Sequence, residues 1–320
     1  NEAPFLHELF YSINTQSFKN YEIIVVDSGS QDDTQKIAKE FADNLLVIEK
    51  DDFTFGYAIN HGIKNSNGEL ICILSAHTKP SSNNWLKELV EAFVGSKSNE
   101  SNIALSYGKQ IGGKNSNFSE MMDFSNFFGN EELIQSSPQY FCNNANSMIR
   151  KDLWENHPFN ESLSGLEDIE WSKYWMDKGY KIIYKPSACI FHFHNENSYQ
   201  IRNRFWRESI AARSIGILPL RKILFQIPNQ LYLLFKDIFL FYREKSEGKI
   251  EGIFIYRYNR LVGTLKSFIN KKFSIKDFSE NYNPLLYKVL EYERENLPLE
   301  KQYSLKPLSS SLALKLTVCL

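Results

Sequence analysis

Short β-rich runs alternate with amphipathic helical patterns along the first 110 residues of the chain. Residues 21–27 form an Ile- and Val-rich run that is typical of a buried strand, and a turn rich in Ser, Gly and Asp leads from it into a helical pattern. The same order recurs over residues 45–94, and a further strand is predicted at 103–107. This alternation predicts an α/β fold with a mostly parallel sheet flanked by helices, in which ligands bind beyond the carboxyl ends of the strands.

The composition of the chain argues against several classes of protein. The net charge is −1 over 320 residues, so nothing in it points to a nucleic-acid partner. The four cysteines are far apart and form no CxxC pair, which argues against a zinc framework or a disulfide scaffold and fits a reducing compartment. No apolar run reaches the roughly 18–20 residues that a membrane-spanning helix needs.

The composition changes near residue 200, so we expect a catalytic domain over 1–200 and a mostly helical carboxyl-terminal appendage over 201–320. Residues 202–245 carry nine Lys/Arg and three Asp/Glu, a charge of 9 − 3 = +6, and apolar residues recur at helical spacing from Leu231 to Tyr242. Such a basic amphipathic stretch either lies on an anionic membrane surface or packs on the main domain with a solvated basic face. The sequence favours the two interpretations equally.

One group of candidate residues follows the first predicted strand. Asp27 ends that strand, and Ser28 and Gly29 begin the turn that leads into the next helix. The backbone amides of such a turn suit an anion or a nucleotide, and Asp27 could accept hydrogen bonds from a base or a ribose. The alternative is an ordinary turn aspartate beside a helix cap.

A second group of candidates lies further along the chain. Glu167 and Asp168 open a predicted helix, where acidic residues often only complement the helix dipole. His192 and His194 are two residues apart, so on a strand they face the same side and could hold a metal or a phosphate. Two structural histidines near the surface are the alternative.

The order of these motifs resembles that of the family-2 glycosyltransferases of the GT-A fold. The segments that carry the resemblance are residues 1–6, 21–34, 56–63, 68–80, 142–154 and 165–194, among them NEAPFL, YEIIVVDSGSQDDT and GLEDIEW. Any one of them is weakly specific, but the ordered set is strongly so. The sequence looks most similar to bacterial rhamnosyltransferase-like members of the family, which build surface polysaccharide.

The resemblance implies roles for residues at the donor site. The positions that match the family's nucleotide-holding segments are Glu2, Asp27, Ser28 and Gly29, and Asp33 matches the acidic residue at the start of the following helix. The donor is then expected to be a nucleotide-sugar, and Ser75 and His77 are expected to complete its binding site.

The resemblance also implies roles in catalysis and in acceptor binding. Asp168 matches the expected general base, with Glu167 as its neighbour, and the implied reaction is inverting transfer to a hydroxyl group. Trp171 matches an aromatic position near the acceptor, and Asn144 and Asn146 could hold sugar hydroxyls.

The chain departs from the family pattern at two places. The strand that precedes the NEAP motif in the family is absent before Asn1, so we expect a sheet without its first strand. The family's metal-binding Asp-x-Asp is replaced by Ser75-Ala76-His77. His77 together with His194 could still ligate a divalent cation, and manganese tolerates imidazole better than magnesium does. Metal-independent transfer, with cationic groups stabilising the diphosphate, stays open.

These observations together predict an inverting glycosyltransferase for surface polysaccharide, acting on a glycan or a lipid-linked glycan. We expect it in the cytoplasm and peripheral on the inner face of the membrane. The first alternative is a non-catalytic sugar-nucleotide-binding or scaffold protein, which the change at Ser75 to His77 favours and the Glu167-Asp168 pair opposes. The second is a nucleotidyltransferase, whose Gly-rich phosphate loop and signature lysine are not found in this sequence.

Overall fold

The computed structural model describes residues 1–94, 102–113, 116–194, 196–246, 249–269 and 316–319. Within these residues a nine-stranded sheet is flanked by helices and joined by a helical carboxyl-terminal region. The helices are α1 (Ala3–Asn14), α2 (Thr34–Phe41), α3 (Phe55–Lys64), α4 (Trp85–Val94), α5 (Phe118–Phe127), α6 (Lys151–Asn156), α7 (Glu167–Met176), α8 (Ser198–Ser214), α9 (Gln226–Arg243) and α10 (Glu251–Ile269). The strands are β1 (Tyr21–Asp27), β2 (Asn44–Val47), β3 (Leu70–Leu74), β4 (Thr78–Pro80), β5 (Ile103–Gly112), β6 (Leu133–Gln135), β7 (Asn146–Arg150), β8 (Lys181–His192) and β9 (Leu316–Cys319).

The sheet is mixed, whereas the strand and helix alternation predicted a mostly parallel one. Its order is β2-β1-β9-β3-β7-β5-β8-β4, with β6 paired to β8. The half from β2 to β3 is parallel, but β7 runs antiparallel to both β3 and β5. The backbone N–H of Ser75, just past the end of β3, donates to the carbonyl of Ala145, just before β7. The chain therefore enters β7 from the carboxyl edge of β3 and has to run in the opposite direction.

The position between β1 and β3 is occupied by a strand from the far end of the chain. The short strand β9 lies there and runs parallel to both neighbours: residue 317 pairs with Glu22 of β1, and residue 318 pairs with Cys72 of β3. The sheet therefore has no gap at this position, although no described strand precedes α1. Four residues give too short a pattern to indicate a central strand, and their partners lie more than 240 residues away.

We expect Thr317→Pro to destabilise the protein substantially. Strand β9 has hydrogen-bonded neighbours on both sides, so a proline there removes a ladder N–H and places its ring inside the sheet. Thr317→Ala keeps the N–H and is the matched control. Thermal unfolding of the full chain should show a lower Tm for the proline variant by several degrees relative to the alanine variant. Equal Tm values would contradict the central position of β9.

The two faces of the sheet bury separate apolar clusters. Strand β3 is buried along its whole length, and its side chains alternate: Leu70 packs in one cluster with α1 and α4, while Ile71 packs in the other. The second cluster includes Trp171 and Trp175 of α7. Burial on both faces fixes the register of β3, because a slip of one residue would exchange the two sets.

Two regions differ from the secondary structure predicted. Helix α5 lies within residues 111–140, a largely polar and aromatic stretch with few indications of regular structure. The apolar runs at residues 180–184 and 188–193 predict two strands, but the structure has one continuous strand, β8. Helices α8 to α10 confirm a helical region after residue 200 as far as residue 269. None of the described helices combines the length and the apolar character that crossing a bilayer requires.

Candidate active site

Asp27 lies at the carboxyl end of β1 and organises the turn that follows. The residue is 5% exposed, and its Oδ1 accepts hydrogen bonds from the backbone N–H groups of Gly29 at 3.0 Å and Ser30 at 2.9 Å. Gln35 donates to the same oxygen at 2.7 Å. No such donor reaches Oδ2 within the described part of the chain, so this oxygen could accept a hydrogen bond from a ligand. Gly29 has a φ of 82°, which the tight turn requires and which glycine adopts without strain.

The first residues of the chain pack across this turn. The backbone N–H of Glu2 donates to Thr34 Oγ1 at 2.7 Å, and its carboxylate lies 3.4 Å from Nδ1 of His77. Glu2 thus joins the start of α2 to the loop after β3. Ser28 is half-buried in the same turn, whereas Asp33 is exposed at the start of α2 and bonds no helix N–H with its side chain.

Three histidines meet at the carboxyl edge of the sheet. The ring of His77 lies 5.0 Å from that of His192 and 5.5 Å from that of His194, and the last two are 4.1 Å apart. One nitrogen of each ring lies within 4.8 Å of those of the other two, close enough for a single metal ion. Strand β8 carries His192 and ends there, and His194 follows two residues later, so the spacing of the pair gave a usable signal. Ser75 Oγ lies 3.2 Å from Nε2 of His77.

His192 has the electronic state of a metal ligand. Its Nδ1 lies 2.8 Å from Oε1 of Gln110, which makes Nδ1 the protonated nitrogen and leaves a lone pair on Nε2. That Nε2 is buried and, within the described residues, has no hydrogen-bond partner. Burial, followed by the charges of His194 and His77, holds the pKa of His192 well below its usual value, so the ring is neutral. A neutral imidazole with a buried, unpaired lone pair fits a cation.

His194 is oriented by a carboxylate that the sequence analysis did not identify. Its Nδ1 lies 2.7 Å from Oε1 of the buried Glu120 on α5, and Arg204 of α8 donates to the same oxygen at 2.8 Å. A carboxylate behind a histidine ligand fixes the ring and makes the opposite nitrogen more basic. Glu120 lies in the signal-poor part of the sequence, 74 residues from His194, so no local pattern could have indicated it.

Glu167 and Asp168 are both 7% exposed at the start of α7. Asp168 accepts hydrogen bonds from the backbone N–H of Asn144 at 3.0 Å and from that of Ile169 at 2.7 Å. The two bonds reach different carboxylate oxygens, so each oxygen retains a free lone-pair direction. The turn before α7 places Leu166 at a φ of 59°, a left-handed conformation that is rare for a branched residue.

Helix α8 holds this turn in place. Ser164 Oγ donates to the carbonyl of Arg207 at 3.0 Å, and the guanidinium of Arg207 donates back to the carbonyl of Ser164 at 3.4 Å. Glu208, also on α8, lies beside Gly165 of this turn. The conformation of the turn that precedes Asp168 is therefore supported from the carboxyl-terminal helical region.

The two carboxyl groups share one proton near neutral pH. Burial, with the charge of Asp168 adding to it, raises the pKa of Glu167 to about 8. Burial also raises the pKa of Asp168 to about 6, while the hydrogen bonds from the backbone of Asn144 and Ile169 oppose the shift. Of the two, Asp168 is therefore the stronger acid, and Glu167 holds its proton more tightly. This division of protons between two adjacent acids is a common way of setting up a base in an active site.

A short series of backbone bonds connects the acid pair to the histidine cluster. The N–H of Ser75, two residues before His77, donates to the carbonyl of Ala145. The preceding residue, Asn144, donates its own N–H to Asp168. The residues predicted for donor binding, metal binding and catalysis thus lie along one edge of the sheet.

Two of the predicted acceptor contacts are buried in the core. Asn146 has no exposed surface, and its amide is used by Trp85 at 2.9 Å and by the carbonyl of Ala188 at 2.8 Å. Trp171 is equally buried and donates to a backbone carbonyl. Neither side chain can contact an acceptor sugar, because each is fully buried and hydrogen-bonded within the core. Asn144 is 8% exposed and supports the two acids instead of facing a sugar.

The raised pKa of Glu167 predicts a stability effect that depends on pH. Because the folded pKa of about 8 lies above the ordinary value of 4.5, the contribution of Glu167 to stability is greatest below pH 4.5 and is lost as the pH rises through about 8. Glu167→Gln removes this titration and keeps the shape. We expect its Tm to exceed that of the wild type by several degrees at pH 8 and by nothing at pH 4.5. The exposed Glu155→Gln is the control, and a difference that is constant with pH would contradict the assignment.

Both the fold and the sequence are similar to those of known proteins. The fold is that of the GT-A glycosyltransferases: a mannosyltransferase from Pyrobaculum calidifontis, solved with GDP-Man and Mn2+, matches 85% of each chain with a TM-score of 0.54 at 15% identity. Residues 1–156, just under half of the chain, match the sequence model described as Glycosyl transferase family 2.

Two curated relatives are informative. The O-antigen chain rhamnosyltransferase WbaN of Salmonella anatum is 26% identical over 63% of this chain and 64% of its own length. The dolichyl N-acetyl-alpha-D-glucosaminyl phosphate 3-beta-D-2,3-diacetamido-2,3-dideoxy-beta-D-glucuronosyltransferase of Methanococcus voltae is 24% identical over 85% of this chain and 86% of its own. The chain thus spans just under two thirds of the Salmonella protein.

Proposed function

We propose that this protein is an inverting glycosyltransferase that moves a sugar from a nucleotide-sugar donor to a hydroxyl group of a glycan or a lipid-linked glycan. The observation that carries the proposal is Asp168, a buried carboxylate held by two backbone N–H groups at the carboxyl edge of the sheet. It is joined through Asn144 and Ala145 to the loop that bears His77. The match of residues 1–156 to the family-2 model supports glycosyl transfer as the class of reaction.

In the proposed reaction Asp168 takes the proton of the acceptor hydroxyl. The acceptor oxygen forms a bond to the anomeric carbon while the bond from that carbon to the donor diphosphate breaks, and the nucleoside diphosphate leaves with the electron pair. Attack from the face opposite the leaving group inverts the anomeric centre. Glu167 holds its proton more tightly than Asp168, so it adds less negative charge beside the base than an ionised carboxylate would.

We propose that the donor nucleotide is held by Asp27 and its turn, with Glu2 beside it. A divalent cation, with His77, His192 and His194 as its ligands, would offset the charge that develops on the diphosphate. Three imidazoles favour manganese over magnesium, and the Pyrobaculum protein was solved with Mn2+. The neutral His192 and the carboxylate behind His194 support this ligand set.

The relatives suggest which acceptors to try first. One is named for an O-antigen chain and the other for a dolichyl-linked sugar phosphate. We therefore propose a role in the synthesis of surface or lipid-linked glycans at the cytoplasmic face of a membrane.

The first test is a thermal-shift screen with UDP-, dTDP- and GDP-sugars, each with manganese, magnesium or EDTA. A donor that binds the folded state raises the Tm by mass action, by an amount that grows with its concentration. We expect one nucleotide to give a shift that needs manganese and that His192→Ala reduces. The exposed His7→Ala is the matched control.

Two outcomes of this screen would change the proposal. A shift that survives EDTA and His192→Ala would support a donor site without a metal and overturn the three-histidine ligand set. No shift with any donor would favour a scaffold that has lost nucleotide binding.

A further inference from the structure

Helix α9 exposes a stripe of large apolar residues, although its inner side is apolar as well. Five residues form the stripe and are 48–68% exposed: Leu231, Tyr232, Phe235, Phe239 and Tyr242. At 3.6 residues per turn this stripe is roughly 100° wide and about 16 Å long. The inner side packs on the protein through Phe241, whose ring lies 5.3 Å from that of Phe118, and through the buried Gln230 and Asp237. A helix that only packed on its domain would need apolar residues on that inner side alone.

Polar contacts fix the orientation of α9. Asp237 is 1% exposed and bonds Arg257 of α10 at 2.7 Å, and that guanidinium also reaches Asp123 of α5 at 2.8 Å. Rotating α9 to bury its stripe would pull Asp237 out of this network and leave Arg257 short of a partner in the interior. The buried ion-pair network therefore holds the stripe facing outwards.

Only part of the positive charge of residues 202–245 is free to meet a partner. The arginines of α8 make internal bonds: Arg202 to Asn259, Arg204 to Glu196, and Arg213 to the carbonyl of Ser267. The exposed basic residues lie instead at the two ends of the stripe. Arg221 and Lys222 precede α9. Beyond the last stripe residue come Arg243, which pairs with Glu244 at 3.1 Å, and Lys245, so this end carries the smaller net positive charge.

We propose that the outer stripe of α9 docks on an anionic lipid bilayer, with the helix lying in the plane of the interface. An apolar helical face that carries Phe, Tyr and Leu and is bounded by basic residues is the pattern of such helices, which sink about 5–10 Å into the headgroup boundary. This narrows the membrane-facing region expected over 202–245 to α9 and the residues next to it.

The charges at the ends of the stripe oppose a second copy of this chain as the occupant. Two α9 helices packed antiparallel would bring Arg221 and Lys222 of one copy against Arg243 and Lys245 of the other. Parallel packing would set each basic end against its own equivalent. Like charges therefore meet in both arrangements, whereas an anionic surface complements both ends at once.

The test is flotation of the full chain with vesicles of phosphatidylcholine alone and with about 30% phosphatidylglycerol. Donor and acceptor are left out, so the result is independent of the proposed reaction. We expect the wild type to float with the anionic vesicles at low salt. Phe235→Gln/Phe239→Gln should weaken binding at least tenfold, and Arg221→Gln/Lys222→Gln should lower it and reduce its dependence on salt. Tyr11→Gln, which removes a 70% exposed aromatic residue on α1, is the control.

Several results would overturn the docking proposal. Wild-type protein that stays soluble with anionic vesicles would do so, as would undiminished flotation of Phe235→Gln/Phe239→Gln. A dimer in light scattering that this variant dissociates would identify a second copy as the occupant. A Tm lowered by more than a few degrees in this variant would mean that another part of the same chain covers the stripe.

Discussion

Asp168→Asn is expected to lower kcat for sugar transfer by about 10²- to 10⁴-fold, the contribution typical of a general base. The substitution keeps the size of the side chain but removes its ability to take the acceptor proton. Donor binding, measured by thermal shift, should change little, because the contacts proposed for the nucleotide lie with Asp27 and Glu2. In the wild type, kcat should fall as the pH is lowered through about 6, since protonation of Asp168 has the same effect as the substitution.

The control for this prediction lies on the same helix. Asp177, at the end of α7, pairs with Lys173 and is exposed, so Asp177→Asn should keep nearly full activity. Circular dichroism of both variants checks that they are folded. If folded Asp168→Asn kept more than about a tenth of the wild-type kcat, Asp168 would not be the base.

Arg257→Met is expected to have the largest effect on stability outside the active site. Arg257 is 2% exposed and holds Asp123 at 2.8 Å and Asp237 at 2.7 Å, which ties α5, α9 and α10 together. Removing the guanidinium leaves two buried carboxylates with too little positive charge, which typically costs 3–5 kcal/mol. Burial already raises the pKa of Asp237, so the loss should be greater at pH 8 than at pH 5. A fall in Tm of roughly 10 °C is expected.

Two further variants test whether the loss comes from unpaired charge. The exposed Arg243→Met should leave the Tm nearly unchanged, because its partners Glu244 and Phe239 are on the surface. Adding Asp237→Leu to Arg257→Met should recover part of the stability, since it removes one of the stranded carboxylates. If Arg257→Met had the same Tm as the wild type, the network would not hold the helices together.

Short-range sequence patterns predicted the elements whose formation depends on neighbouring residues. The Ile- and Val-rich run of β1, the helix that follows Asp27 and the acidic start of α7 all lie close to their predicted positions. The pairing of distant segments could not be inferred from the chain: β9 inserts between β1 and β3, and β7 reverses because its entry point is fixed by Ala145. Both depend on contacts made only in the folded sheet.

The same distinction applies to the site. The order of motifs indicated His77, His194 and Asp168, and the structure brings His77 and His194 into one cluster with His192. The polar character of Asn146 suggested a sugar contact, but its burial beside Trp85 makes it structural. The support from Glu120 and Arg204 comes from helices far away in the sequence, so only the folded structure reveals it.

The most direct test of the account is turnover of nucleotide-sugars. Wild-type protein and Asp168→Asn are incubated with manganese, each of the UDP-, dTDP- and GDP-sugars, and a membrane lipid extract, and release of the nucleoside diphosphate is measured together with labelled sugar in the lipid fraction. The account predicts that the wild type consumes one donor and transfers its sugar to the extract, and that Asp168→Asn does so at least 100-fold more slowly. A wild-type protein that binds a donor yet turns over none of them, or a variant as active as the wild type, would contradict it.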